Sequence, residues 1–248
     1  MLKSLVSTLF SLSLLLPSFS CLADDDDAAV LLKKMDELFR SKSSVSTMKM
    51  EIITPNWQRT LEMQSWTIGM DDTFIRILSP RKDRGVATLK KNKEMWNYFP
   101  KINKVIKVPP SMMMGSWMGS DFTNDDLVRE VSLVEEYQVS KIAEGENYRL
   151  TLIPKKDTVT VWGKIEFIVN QQTLLPLEQS YFNEKGDKVR TMLFSDIRDF
   201  SGKKMPAIMT MIPLNKTGHK TIIEYVEAKF DTDIGDNVFT LRNLQTRF

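Results

Sequence analysis

Apolar and polar residues follow a helical period once, near the start of the chain, and a period of two for most of the rest. In residues 28–41, Val30, Leu31, Met35, Leu38 and Phe39 recur at helical spacing, with Lys33, Lys34, Glu37 and Arg40 between them. This predicts an amphipathic helix with Asp27 as its N-cap. From Thr47 the period shortens. Met48, Met50 and Ile52 fall on one side of a strand and Lys49 and Glu51 on the other. Leu61 and Met63 repeat the pattern after a Pro55-Asn56 turn. Further strands are predicted at 73–78, 86–90, 94–99 and 102–108, then at 137–143, 148–153, 159–169, 177–182, 189–197, 207–212 and 221–230. Turn-forming stretches such as Glu144-Gly145-Glu146-Asn147, Asn183-Glu184-Lys185-Gly186-Asp187 and Asn215-Lys216-Thr217-Gly218 separate them. Short strands at regular spacing indicate an antiparallel meander.

One stretch breaks the meander. Residues 109–128 carry Met112, Met113, Met114, Met118, Trp117 and Phe122 together with Gly115 and Gly119, and have no strand alternation. Methionine is flexible and polarizable, so the stretch reads either as a mobile apolar flap over a cavity or as a loop tucked into the core with a short helix behind it. Thr123 followed by Asp126 forms a capping-box variant, which predicts a helix from Asn124 to about Leu133. Asp121, Asp125 and Asp126 could be taken for metal ligands, but capping accounts for the latter two more simply.

A sheet of roughly ten strands cannot stay flat; it curls or closes. Only three segments look helical, so little covers its apolar face. The expected result is a hollow lined by Met48, Met50, Ile52, Leu61 and Met63, with a fully packed interior as the alternative. Residues 231–248 form a tail that packs Val238, Phe239 and Leu241. There is no internal repeat and no linker-like stretch, so one domain is expected after the leader.

The leader changes the picture of compartment. Lys3 is followed by an apolar run broken at Pro17, and Cys21-Leu22-Ala23 places small residues before Asp24. This predicts a secretory signal peptide over residues 1–23, cleaved after Ala23. A lipoprotein signal ending at Cys21 is the competitor, and Ser18 stands where that signal wants an aliphatic residue. Asp24 to Asp27 would open the mature chain as a solvated, disordered tail. Removing 23 of 248 residues leaves 225. Taking Lys3 from 34 basic and 32 acidic residues leaves a net charge of +1 and no cysteine. Near-neutral charge argues against nucleic acid as a partner, and no later segment is long and apolar enough to span a membrane. The expected location is the periplasm. The lone His219 lies in a turn, where a solvated histidine is expected. Asp196, Asp199, Glu135 and Glu136 read as surface charge. With no phosphate loop and no metal-ligand spacing, the sequence predicts no enzyme, no cofactor and no metal.

Two segments in this order carry a resemblance: Trp96-Asn97-Tyr98-Phe99-Pro100, and then Met112 through Gly119-Ser120-Asp121-Phe122-Thr123-Asn124-Asp125-Asp126-Leu127. Together with the leader, the first helix and the meander, they resemble the outer membrane lipoprotein-sorting proteins of the LolA/LolB-like superfamily, in its larger LolA-like branch. The resemblance implies a mainly β (α+β) fold, a strongly curled antiparallel sheet forming an incomplete β-barrel with a few helices covering its open side. It implies a periplasmic carrier that binds the acyl chains of a lipoprotein or lipid, taking cargo from an inner-membrane exporter to an outer-membrane acceptor. No arginine here can be matched residue by residue to the one that fastens the lid of the dedicated lipoprotein chaperone. Pattern and resemblance together nominate cavity and lid residues Met48, Met50, Ile52, Leu61, Met63, Trp96, Tyr98, Met112, Met113, Met114, Trp117, Met118 and Phe122. The alternative from a different class is a periplasmic sensor or adaptor that docks a protein partner.

Overall fold

The computed structural model describes residues 25–39, 41–69, 71–128, 133–158 and 160–246. The signal peptide expected over residues 1–23 lies outside the described residues. Thirteen strands form one antiparallel sheet. The first six run outward in sequence order: β1 Ser43–Ile53, β2 Gln58–Ile68, β3 Asp72–Ser79, β4 Ala87–Lys91, β5 Glu94–Phe99 and β6 Lys104–Lys107. The other seven are β7 Tyr137–Glu144, β8 Asn147–Pro154, β9 Lys164–Asn170, β10 Pro176–Phe182, β11 Lys188–Phe200, β12 Lys203–Pro213 and β13 Lys220–Phe230. These run back inward, and β13 pairs with β1. The edges are therefore β6 and β7, which are consecutive in the chain, and the sheet does not close. It is an incomplete β-barrel, as expected, with three more strands than the rough count.

Residues 108–136 join the two edges. They contain two short helices, α2 Asn124–Val128 and α3 Leu133–Glu136. The sheet's inner face is organised as cross-strand rows. Ile77, Met63, Met48 and Tyr225 stand opposite one another across β3, β2, β1 and β13. Met50 lies opposite both Leu61 and Ile223. Such rows bring apolar side chains within contact range and are the unit of stabilisation in a sheet.

The first helix, α1 Asp25–Phe39, begins earlier than expected. Its opening aspartates are helical rather than a disordered tail, consistent with acidic residues favouring a helix N-terminus. It lies on the inner face of β7–β10. Ala28, Leu31, Leu32 and Met35 pack there against Val139, Leu152 and Phe167. Val30, expected on the apolar stripe, is exposed. The contacting set is spaced i, i+3, i+4, i+7, and Val30 is rotated off that face.

The outer face of β3–β5 is covered by the C-terminal segment, which ends in α4 Leu241–Leu244. Phe239 and Leu244 are buried against Phe74, Leu89 and Tyr98. Leu244 takes the packing role expected of Leu241, which is exposed. Arg76 donates to the carbonyls of Asn243 (2.7 Å) and Thr246 (3.2 Å) at the end of this short helix. Strand β9 starts at Lys164 rather than at 159. Gly163 approaches the next hairpin so closely that a Cβ there would lie 2.6 Å from the Asn183 carbonyl oxygen. If the C-terminal clasp closes this outer core, Phe239→Ala costs about 3–5 kcal/mol of unfolding free energy. Urea denaturation checks this, and a change under about 1 kcal/mol, the size of an ordinary surface substitution, contradicts it.

Candidate ligand cavity and its cover

Between the part of the inner face covered by α1 and the part covered by the edge-to-edge connection, the structure leaves a cavity of about 680 Å³. This is within the range of ligand-binding pockets, roughly 300–1,000 Å³. Six methionines line it: Met48, Met63, Met192, Met205, Met209 and Met211. Trp117, Phe122 and Leu127 of the connection close one side, and Leu133, Trp162 and Tyr181 another. Toward one end the wall becomes hydroxylic, with Ser44, Ser46, Ser65, Thr67 and Thr73. Ser44 and Thr67 share a hydrogen bond of 2.7 Å.

Of the residues nominated from sequence, Met48, Met63, Trp117 and Phe122 stand on the cavity wall. Met50, Ile52 and Leu61 share the same face but are fully buried in the packed core beside it. Trp96 and Tyr98 point the other way. They lie on the outer face beneath the C-terminal clasp, because β5 presents Met95 and Asn97 inward. Met113 and Met118 are half-buried, and Met112 and Met114 are exposed, Met112 at 61 %. The structure therefore places the methionine run on the outside of the cover and Trp117 beneath it. Met192, Met205, Met209 and Met211 were not singled out from sequence. Their signal is the alternation Met205, Ala207, Met209, Met211 in β12, joined by Met192 and Phe194 in β11, but alternation alone does not say which face is hollow.

The cover is built locally before it is fastened. Trp117 N–H donates to the Phe122 carbonyl (2.8 Å) and Ser120 N–H to the Trp117 carbonyl (2.9 Å). Met118 (φ +53°) and Gly119 (φ +78°) fill the two central positions of this turn, the two-positive-φ pattern of a type I′ hairpin. Glycine suits that geometry and methionine does not, at a cost of about 1–2 kcal/mol. Behind the hairpin, Thr123 and Asp126 form the predicted capping box. Asp126 N–H donates to the Thr123 hydroxyl (3.1 Å), and Thr123 N–H donates to the Asp126 carboxylate (2.8 Å).

Among the described residues, polar contacts at four points pin the cover to the sheet. The Trp117 indole N–H donates to Thr88 Oγ1 (3.1 Å), and Trp117 is 3 % exposed. Arg59, itself paired with Asp83, donates to the Met118 carbonyl (3.4 Å). Asp121, whose side chain is 4 % exposed, exchanges two hydrogen bonds with Thr221: its backbone N–H donates to Oγ1 (2.9 Å), and the Thr221 hydroxyl donates to its carboxylate (2.8 Å). His219 Nδ1 stands 3.9 Å from the same carboxylate, so this histidine is a neighbour of the cover rather than a purely solvated turn residue.

The fourth contact joins the cover to the other half of the sheet. Arg190 of β11 makes a bidentate pair with Asp126 of α2, at 2.8 and 2.5 Å. Its side chain is 6 % exposed. The guanidinium also lies over the rings of Tyr181 (4.2 Å) and Trp162 (4.6 Å). Burial alone would push the Arg190 pKa down; the Asp126 carboxylate more than offsets it, so the group is held above its ordinary value. Burial pushes the Tyr181 phenol above its ordinary range despite the adjacent cation. Sequence reasoning read Asp126 only as a cap and did not single out Arg190. The available signal was an arginine in register with Met192 and Phe194 on an otherwise apolar strand face.

Two outcomes follow from this arrangement. Asp126→Ala leaves a buried, unpaired guanidinium and lowers stability by about 3–5 kcal/mol, whereas the double variant Asp126→Leu with Arg190→Met recovers most of the loss. Equal destabilisation by single and double variants in urea melts contradicts the pairing. Because Tyr181 ionises at higher pH in the folded chain than in the unfolded chain, its linkage contributes stability below about pH 10 that is lost as pH rises further. Tyr181→Phe should flatten that alkaline loss.

Comparisons with known proteins agree with this architecture. No curated protein matches the sequence. A structure of a DUF1329 family protein from Desulfovibrio piger superposes with a TM-score of 0.81 at 24 % identity, over 88 % of this chain and 98 % of that one. A structure described as an outer membrane lipoprotein-sorting protein domain, from Vibrio parahaemolyticus, gives 0.77 at 20 % identity, over 90 % and 100 %. A LolA superfamily protein from Nitrosomonas europaea gives 0.71 at 21 % identity, over 87 % and 98 %. At these identities the likeness establishes the fold. A family model described as an uncharacterized protein matches residues 69–246, well over half of the chain. The chain thus belongs to the family of that model and has the fold of the LolA superfamily.

Proposed function

We propose that the protein is a periplasmic carrier that shields the acyl chains of a lipid or lipidated protein in transit from the inner towards the outer membrane. The observation that carries this reading is the hollow inner face. A cavity of about 680 Å³ with six methionines on its wall lies under a cover held by discrete polar contacts. Each acyl CH₂ removed from water contributes about 0.8 kcal/mol, so a chain enclosed there avoids a large penalty. Methionine walls adapt to chains of different length and kink. The contacts described for the cover run through side chains and not through the strand ladder, so it can open without unfolding the sheet. Met48, Met63, Met192, Met209, Trp117 and Phe122 are the side chains assigned to the ligand. The direction of transport, the signal peptide ending at Ala23, and an exporter and acceptor on either side belong to the same proposal, supported by the fold relationship and the leader pattern. The residues assigned to the ligand bury and release it and form no bond with it, so the proposed role is not enzymatic.

A sensor or adaptor that docks a protein partner is the second reading, and the exposure of Met112 and Met114 on the cover favours it. The two separate on one titration. The carrier takes up a fluorescent apolar probe such as N-phenylnaphthylamine and releases it to competing monoacylglycerol. Met209→Asp, at a half-buried wall position, lowers probe affinity by more than about tenfold, since it places a charge in an apolar site. A wild-type protein that takes up no probe, or a variant that binds it as well as the wild type, contradicts the carrier reading.

A further inference from the structure

One end of the sheet carries an unusual combination of charge and exposed apolar side chains. The antiparallel order places four turns there: 54–57, 80–86, 100–103 and 214–219. They touch or are linked to one another. Gly218 lies against Pro55, with an added Cβ 3.0 Å from its ring, and Gly85 lies against Pro100 at 3.6 Å. Arg59 bridges to Asp83 at 3.0 Å. In three of these turns stand Trp57, Ile102 and Leu214, all about half exposed. Around them the four turns carry Arg81, Lys82, Arg84, Lys101 and Lys216 against Asp83, with Asp121 of the cover 4.0 Å from Lys216. The turns at the opposite end of the same strands have the reverse balance. Residues 42, 69, 71, 92–93, 201–202 and 231–236 carry Asp71, Asp231, Asp233 and Asp236 against Lys42 and Lys93. The turns of the β7–β11 half at the basic end are of mixed sign, so the polarity belongs to the β1–β6 side.

We infer that this end is a peripheral docking surface for an anionic lipid bilayer. These three side chains come from three separate turns, each half exposed. A protein partner is recognised through a packed central patch. A bilayer interface accepts isolated aromatic and aliphatic side chains inserted to shallow depth, with lysine and arginine against the headgroups. The long-range field points the same way: a basic end and an acidic end orient the molecule with the basic end toward an anionic surface. No helix among the described residues is long and apolar enough to cross a membrane, so the contact is superficial and reversible. It also has a consequence for the cover. Arg59 and Thr221, which hold Met118 and Asp121, rise from this same end, so docking places the Trp117–Asp121 turn next to the bilayer. This inference concerns the outer rim and stands or falls independently of what the cavity holds.

The test is flotation of the protein with phosphatidylglycerol–phosphatidylcholine vesicles and with pure phosphatidylcholine vesicles. Binding is expected to the anionic vesicles, to weaken as NaCl is raised, and to be far weaker on pure phosphatidylcholine. Lys82→Gln and Lys101→Gln should each lower the partition coefficient about fivefold. Trp57→Ser should lower it about tenfold and remove a blue shift of tryptophan emission seen on binding. Because these positions are exposed, the melting temperatures of the variants should match the wild type. Failure to float with anionic vesicles at low salt overturns the inference, as does binding that all three substitutions leave unchanged. Saturable binding of a polyglutamate peptide with no vesicle binding overturns it in favour of an acidic protein partner.

Discussion

The two edge strands of this sheet, β6 and β7, are neighbours in sequence but lie at opposite ends of a thirteen-strand order. The chain must therefore bridge the open side of the barrel, and the segment that does so becomes the cover of whatever lies inside. Most other features follow from this constraint. The connection has to carry apolar residues inward, which explains Trp117 and Phe122. It needs a tight reversal to fit, supplied at Met118-Gly119, and fixed points on strands from both halves, supplied by Thr88, Thr221 and Arg190. A closed barrel would need none of these devices, and a packed sandwich would leave no room for them.

The fixing contacts differ in physical character. The pair between Arg190 and Asp126 is desolvated, bidentate and flanked by two rings, so its geometry is demanding and its loss costly. The Arg59 contact to the Met118 carbonyl is long and partly exposed, and is correspondingly weak. The Trp117–Thr88 and Asp121–Thr221 contacts are buried, so the cover is fixed at the hairpin as well as at α2.

Much of the architecture was legible in the sequence. All thirteen strands overlap segments expected to be strands, and the capping box at Thr123 and Asp126 stands where its spacing predicts. What was not legible was facing. In β3–β5 both faces are apolar, because the C-terminal segment covers the outside while Trp117 fills the inside. Adjacent residues such as Met95 and Trp96 then carry no information about which points in. Trp96 and Tyr98 were accordingly nominated for the cavity, although they lie on the outside. Similarly, Val30 has the right chemistry for the first helix's stripe but the wrong angle. The Arg190–Asp126 contact joins residues 64 positions apart. Nothing local to either residue marks the partner, and only an arginine in an apolar register hints that a buried anion must be near. The leader is the reverse case, since its reading rests on composition alone and falls outside the described residues.

The central claim is that the hollow exists to hold acyl chains. Native mass spectrometry of the protein purified from the cell envelope, followed by organic extraction of bound material, tests it most directly. The account predicts a mass increment corresponding to an acylated species at near-stoichiometric occupancy, reduced in the Met209→Asp variant. Protein that is uniformly at its bare mass, and remains so after incubation with excess monoacylglycerol, would contradict it.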